Sequence, residues 1–273
     1  MKKIGILFLG LISAFSFSQN TRFVYQVSMK TDSTAAPKIE NAYLDISTEK
    51  SIFYGEKTMK RDSTIRQAME TRNFNFDRNS MEQFRTAITY SIEKNHATKT
   101  ISYKDRIARD QYWYDEDRTF NWKILPETVK IGEYETQKAE TTFAGRKWFA
   151  WFTQDLPFID GPYKFSGLPG LIVKVEDEKG DYSFDLKETK KIAELPNFES
   201  RFGNNIKVKR SEFLKQQEKF NKDPMSFFQN QGGGFAMRMG GNQNPQNEAE
   251  RRKMMEERLK EEAKANNNPL EKN

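Results

Sequence analysis

The sequence predicts a mainly β protein: a curved antiparallel sheet or open half-barrel with one or two late helices. Three observations lead there. Apolar and polar residues alternate with period two in short runs up to about residue 190, the pattern of half-buried strands. Aromatic residues are abundant, with 22 Phe and 10 Tyr, which suits cross-strand pairs on a pleated surface. No helix-period segment separates the runs, which argues against a parallel βαβ arrangement.

The first strand is expected at 23–27, where Phe23, Tyr25 and Val27 share one face. The runs 42–46 and 52–54 form the next pair. Residues 58–82 lack a clear period and read as a loop or a short helix. Strands resume at 87–92, 100–103 and 111–114. Residues 134–143 and 147–153 make a hairpin around Ala144-Gly145, and 171–188 a second hairpin turning at Glu178-Lys179-Gly180-Asp181. A helix is expected after Ser211 as N-cap, with Phe213, Gln217 and Phe220 on one face and Pro224 as its stop. Residues 226–247 turn to Gly, Gln, Asn and Met, a composition that cannot bury enough apolar surface to order itself and reads as a flexible linker. Residues 248–264 form a charged helix, with Glu248/Arg252 and Glu256/Lys260 at i,i+4 spacing and only Met255 and Leu259 as an apolar stripe. A solvated or weakly docked helix follows from that pattern.

The sequence Gly167-Leu168-Pro169-Gly170-Leu171-Ile172 joins a turn directly to an apolar strand. Pro169 fixes φ for the second position of a tight turn and Gly170 permits positive φ at the third, which predicts a type II turn. No Lys-Ser/Thr pair follows the glycines, so this is not a phosphate loop. Upstream lie Ile131-Gly132-Glu133-Tyr134, Phe143-Ala144-Gly145-Arg146, Ala150-Trp151-Phe152-Thr153, Asp155-Leu156-Pro157 and Gly161-Pro162-Tyr163-Lys164-Phe165. With the hexapeptide, these pieces resemble the core of the exported GLPGLI family over about residues 120–190. Asn268-Pro269-Leu270-Glu271 near the end matches more diffusely. The resemblance implies a Gram-negative envelope protein of a family without an established activity. Many members carry a cysteine near Thr136. This chain has none, so any role of that thiol does not carry over.

Lys2 and Lys3 followed by the apolar run 4–15 read as a secretory signal of residues 1–18, cleaved after Ser18 and leaving Gln19 first. The apolar run is too short to span a bilayer, and without cysteine there is no lipid anchor. Export to the periplasm is expected, with secretion as the second choice, and the mature chain is not expected to be an integral membrane protein. Residues 19–225 then form the β-rich domain, 226–247 the linker, and 248–273 the charged helix and tail. Without disulfides, stability must come from a packed core. The formal charge of +6 becomes +4 when Lys2 and Lys3 leave, and acids and bases are interspersed, which argues against a nucleic-acid partner.

Few residues suggest chemistry. His96 is the single histidine, in a polar turn, and with no cysteine a thiol nucleophile or thiolate metal site is excluded. No catalytic residue, metal site or cofactor is assigned. Asp115, Asp117, Glu176 and Asp177 lie in acidic triplets at strand ends, where solvated turn acids are common, although two such acids could form a hydrolytic pair across a cleft. Arg146, Trp148, Trp151, Phe152 and Tyr163 are the candidate binding residues. Trp148 and Phe152 face one side of a strand and Phe149 and Trp151 the other, so one set lines the core and the other is open for a ligand. Core packing alone would also account for them.

The pattern of strands resembles the open half-barrel of periplasmic lipoprotein carriers, a likeness of fold only. The expected function is therefore a non-enzymatic periplasmic binding or accessory protein. Its ligand would be apolar or a peptide, and the family resemblance suggests an outer-membrane TonB-dependent transporter as partner. The alternatives are a carboxylate-based envelope hydrolase and a scaffold that docks a partner through the C-terminal helix.

Overall fold

The computed structural model describes residues 20–73, 83–198, 203–229 and 245–272. Twelve strands are described: β1 Asn20–Met29, β2 Lys38–Ile46, β3 Lys50–Gly55, β4 Ser91–Asn95, β5 Ile101–Ile107, β6 Asp110–Asp115, β7 Lys123–Ile131, β8 Tyr134–Phe143, β9 Arg146–Thr153, β10 Leu171–Asp177, β11 Tyr182–Ile192 and β12 Asn205–Lys207. They form one sheet in the order β12-β6-β5-β4-β3-β2-β1-β11-β10-β9-β8-β7. Every pairing is antiparallel except the short β12 on β6. The terminal strands β12 and β7 are not paired with each other, so the sheet is open, and the fold class is the one the alternation predicts.

β1 at the centre shows why these residues make strands. Phe23, Tyr25, Val27 and Met29 are buried on the inner face, while Gln26 between them is exposed. Leu44, Phe53, Ile92, Phe152 and Phe184 continue that face into one core. Burying a large side chain of this kind contributes roughly 1.5–3 kcal/mol. The predicted hairpin turn at Ala144-Gly145 is present, with φ of 50° and 74°, the double positive φ of a two-residue connection whose twist suits the strands.

Four expectations change. The strand predicted at 87–92 begins only at Ser91, because Glu40 takes the Ala87 N–H (3.0 Å) and the Thr86 hydroxyl, which holds 86–88 as a loop. β7 was not legible. It is an edge strand exposed along almost its whole length, with Pro126 at an irregularity in its pairing, so it carries no apolar alternation. The ambiguous stretch after residue 55 is a helix, α1 Glu56–Thr71, anchored by Thr58 Oγ1 donating to Ile88 O at 2.7 Å. The helix predicted after Ser211 is α2 Arg210–Lys222. Its N-cap is Lys209, without a side-chain cap, and Ser211 lies inside it.

The segment expected to be a linker at 226–247 is helical at both ends. Residues 226–229 belong to α3 Pro224–Gln229, where Phe227 meets Phe220 edge-on at 5.6 Å, and 245–247 open α4 Pro245–Lys264. The rest of it, like the signal expected at 1–18, lies outside the described residues. The Glu256–Lys260 pair on α4 is formed at 2.6 Å.

Three connections matter for function. Residues 116–122 cross the inner side from β6 to β7, stacking Phe120 on Phe143 (4.3 Å) and on Phe165 (5.5 Å). After β11, residues 193–198 lie over the outer face, with Phe198 on Tyr54 at 4.6 Å. Residues 154–170, between β9 and β10, fold onto the inner face and fill it.

Candidate functional site

The connection 154–170 is short of regular hydrogen bonding and rich in proline, so it turns sharply several times. Leu156 O accepts from Phe158 N–H, Phe158 O from Asp160 N–H and Leu168 O from Gly170 N–H, each at 2.8 Å. These are three-residue turns centred on Pro157, Ile159 and Pro169. The expected type II turn at 168–171 is therefore replaced by a tighter one, and Gly170 has φ of 146° rather than about 80°. The reason is a close approach. A Cβ on Gly170 would lie 2.0 Å from Thr153 O, so the glycine lets the end of the connection press against its beginning. Leu171 N–H then donates to Leu156 O at 3.1 Å and Ile172 N–H to Asp160 O at 2.9 Å. The hexapeptide thus closes the loop and starts β10 in register.

Lys94 pins the middle of this loop. It occupies an inner-face position of β4 and is buried, with Nζ donating to Asp160 Oδ1 (2.5 Å), Gly161 O (2.6 Å) and Phe165 O (3.0 Å). Burial lowers the Lys94 pKa, and Asp160 opposes that shift. Asp160 is itself buried. Desolvation would raise its pKa, but the Lys94 charge, His96 and hydrogen bonding outweigh it and hold the carboxyl below its usual range. His96 sits at the rim. Its Nδ1–H donates to Thr48 O at 3.2 Å and Nε2 faces Asp160 Oδ2 at 3.8 Å, an ion-pair distance rather than a hydrogen bond. The Asp160 carboxylate raises the His96 pKa against partial burial, and with acceptors facing both ring nitrogens the imidazolium is favoured.

Beside this charge group opens a cleft of about 510 Å³ at one end of the sheet. Ile46, Ile101, Phe158 and Ile159 give it apolar walls, and Ile159 is 66% exposed there. Lys99 and His96 lie on its polar side. Among the bonds described, the partners of His96 are a carbonyl and a carboxylate. Lys94 and Asp160 carried one sequence signal, a lysine at a core-facing position of an alternating strand. Nothing pointed to its partner.

The five candidate binding residues separate. Trp148, Phe152 and Tyr163 are buried in the core, so they present no open surface: Trp148 packs edge-on to Phe165 at 4.9 Å, and its Nε1–H donates to Phe143 O. Trp151 alone lies on the outer face, half-buried, with Lys174 Nζ 4.9 Å and Lys138 Nζ 5.6 Å from its ring. Arg146 is buried and already engaged. Its Nη1 donates to Asp177 Oδ2 at 2.7 Å, and its other nitrogens donate to residues 268–270 of the chain's own C-terminal segment. Tyr163 OH donates to Glu271 in the same segment at 2.5 Å. Gly167 has φ of 93° and, with Ser166, borders the cleft; Leu168, Leu171 and Ile172 are core residues.

The four candidate acids do not converge. Asp115 pairs with Lys207 (2.8 Å), Asp117 with Arg210 (3.2 Å), Glu176 with Lys174 (2.8 Å) and Asp177 with Arg146 (2.7 Å). A different carboxyl is perturbed: burial pushes Asp105 up to about 6, against hydrogen bonds from Arg106 N–H and Thr89. Among the described residues no group of three or more His, Cys, Asp or Glu is placed to hold a metal ion, and no helix is long and apolar enough to cross a membrane.

Comparison with known proteins gives a family model and a fold. The model described as "Protein of unknown function (Porph_ging)" matches residues 141–174, a stretch that contains β9, the 154–170 loop and the whole hexapeptide. No curated protein matches the chain. Two solved structures of PNGF-II, in space groups P21 and C2, superpose with TM-scores of 0.52 and 0.53 at 18% and 17% identity. Each covers 72% of this chain, which spans only about a third of theirs (33% and 32%). LolA superfamily protein NE2245 from Nitrosomonas europaea aligns over 66% of this chain and 88% of its own at 10% identity, with a TM-score of 0.28, too loose to bear on the fold. At such identities the PNGF-II likeness is one of fold alone. The chain is similar to the Porph_ging family over the segment that builds the cleft's inner wall.

Proposed function

We propose that this chain is an exported, non-enzymatic binding or accessory protein of the bacterial envelope, related to the GLPGLI family, whose ligand enters the cleft beside His96. One observation carries the reading: Phe158 and Ile159 line an open cleft of about 510 Å³ while Lys94 holds the loop that bears them. A half-barrel carrier would hold an acyl chain on its inner face. Here Tyr163, Phe165 and Leu168 fill that face, so the ligand site moves to the mouth. The apolar walls suit an apolar ligand or an apolar peptide side chain, and His96 and Lys99 suit an acidic end on it. The partner, on the family resemblance, is an outer-membrane TonB-dependent transporter. The hydrolase alternative finds no support in Asp115, Asp117, Glu176 and Asp177, each held in its own ion pair.

Native mass spectrometry of the protein taken gently from its own envelope tests this. The expected result is a mature chain beginning at Gln19 with a co-purifying lipid, peptide or transporter subunit. Ile159→Asp is expected to lose the ligand while leaving the melting temperature within about 2 °C, because Ile159 is a surface residue. A ligand-free wild type, or a ligand retained by Ile159→Asp, overturns the reading.

A further inference from the structure

The C-terminal segment is held by a set of buried donors. Asn268 N–H donates to Thr31 O (2.9 Å) and Lys272 N–H to Ala144 O (2.7 Å), so residues 268–272 are tied at both ends to two loops, with the backbone bending at 268, 270 and 271. Arg146 Nε donates to Leu270 O (3.0 Å), Arg146 Nη2 to Pro269 O (2.7 Å), and Tyr182 OH to Asn268 O (2.6 Å). These three bonds read backbone only. Two side chains are read as well. The Asn268 amide accepts from Arg146 Nη2 and donates to Lys30 O, both at 2.7 Å. The Glu271 carboxylate accepts from Lys164 Nζ (2.6 Å), Tyr163 OH (2.5 Å) and Arg118 Nη2 (2.7 Å).

The cradle is shaped for its occupant. Lys164 is fully buried and also bonds Tyr114 OH and Glu116, and a Cβ on Gly145 would lie 2.7 Å from Lys272 O. If the segment lifted off, Arg146, Lys164, Tyr163 and Tyr182 would lose the acceptors it supplies, and another peptide of the same chemistry would restore them. The occupant adds no strand to the sheet, and α4, which delivers it, packs on α2 and α3 and reaches Arg85 through Glu262 at 3.9 Å, with Met254 half-exposed.

We propose that this cradle is a peptide-recognition site. It takes a bent Asn-Pro-apolar-Glu segment, is filled in cis by residues 268–271, and is open in trans to another chain that carries the same chemistry. Asn and Glu give the sequence readout, Pro fixes its own φ within the bent segment, and Arg146 binds the residues between them through their carbonyls.

The test titrates full-length protein into a fluorescein-labelled peptide of residues 265–273, read by anisotropy. In the wild type the tethered segment competes at an effective concentration of roughly millimolar, so the peptide binds poorly. The full-length Asn268→Ala/Glu271→Ala variant is expected to bind it at least about tenfold more tightly, and a peptide carrying the same two alanines is not expected to bind. Should that variant lose its near-ultraviolet circular dichroism, restoration of the signal by the wild-type peptide supports the site equally. A folded variant that ignores the peptide, or an unfolded one the peptide does not restore, overturns the proposal. Hydrogen exchange on the wild type gives an independent check. The Asn268 and Lys272 amides are expected to exchange by local opening, well before those of β1 and β10, and exchange only with global unfolding overturns the proposal. Once binding is seen, sedimentation across a concentration series separates the sources: a dimer suppressed by free peptide assigns the ligand to a second copy, and a monomer assigns it to a different chain.

Discussion

Gly170 concentrates much of what the hexapeptide does. Its φ of 146° belongs to the region that side chains avoid, and the Thr153 carbonyl occupies the place a Cβ would need. Pro169 supplies the other half by fixing the turn. We therefore expect Gly170→Ala to destabilise the fold by about 3–5 kcal/mol in urea denaturation, from steric overlap added to backbone strain. Gly167, whose φ is also positive but where a Cβ would meet nothing within 4 Å, should lose only about 1–2 kcal/mol on the same substitution. Equal losses at the two positions would refute the close-approach account. Pro169-Gly170 was readable as a turn, but its type was not, because a turn's geometry follows the backbone it presses against.

Among the elements, the 154–170 loop depends on a strand distant in sequence. Lys94 ties it through one carboxylate and two carbonyls, and no local pattern around Asp160 announces that partner. Removing the cation leaves Asp160 buried beside the Gly161 N–H (2.7 Å) and His96 (3.8 Å), without its close counter-charge. Lys94→Met is expected to cost about 3–5 kcal/mol and to loosen the loop, seen as faster exchange of the Phe158, Asp160 and Ile172 amides. Unchanged exchange at those amides would mean that the loop is held by its apolar contacts alone. The helices follow the same logic. α2 is held mainly by Phe213 against Tyr103 (5.5 Å) and Tyr114 (5.4 Å), which is why it forms with only Lys209 at its N-cap.

For the whole molecule, two kinds of buried carboxyl give stability an opposed dependence on pH. Asp105 has a raised folded-state pKa, so its contribution is fully present below about 4, the unfolded value, and is lost as pH rises through about 6. Glu116 goes the other way. Burial would raise its pKa, but Arg118 and Lys164 hold it at about 2, so its contribution is present above about 4.5 and is lost as pH falls toward 2. Glu271 is lowered for the same reason, burial being outweighed by the Lys164 charge and by bonds from Lys164, Tyr163 and Arg118. Unfolding free energy should therefore fall on the acid side below about pH 4.5. Between pH 4 and pH 7 the Asp105 contribution should fall by on the order of 3 kcal/mol. Asp105→Asn is expected to flatten that second slope and leave the acid limb in place, and a slope that survives the substitution belongs to another group.

The sequence by itself determined the sheet, because a strand buried on one face must alternate, and runs such as Phe23-Val24-Tyr25-Gln26-Val27 carry that constraint locally. It also marked the two hairpins, the late helices and the two faces of β9, while the fold decided that Trp148 and Phe152 take the core side. Tertiary structure alone decided what fills the inner face. β7 is exposed along most of its length and β12 is three residues long, so neither has a period to read. Arg146 stood out as a binding residue, yet its partners in 268–270 lie more than 120 positions away, and sequence spacing holds no record of such contacts. The same holds for Lys94 with Asp160 and for Lys164 with Glu271. A buried charge is stable only beside its counter-charge, and the fold, not the local pattern, brings the two together.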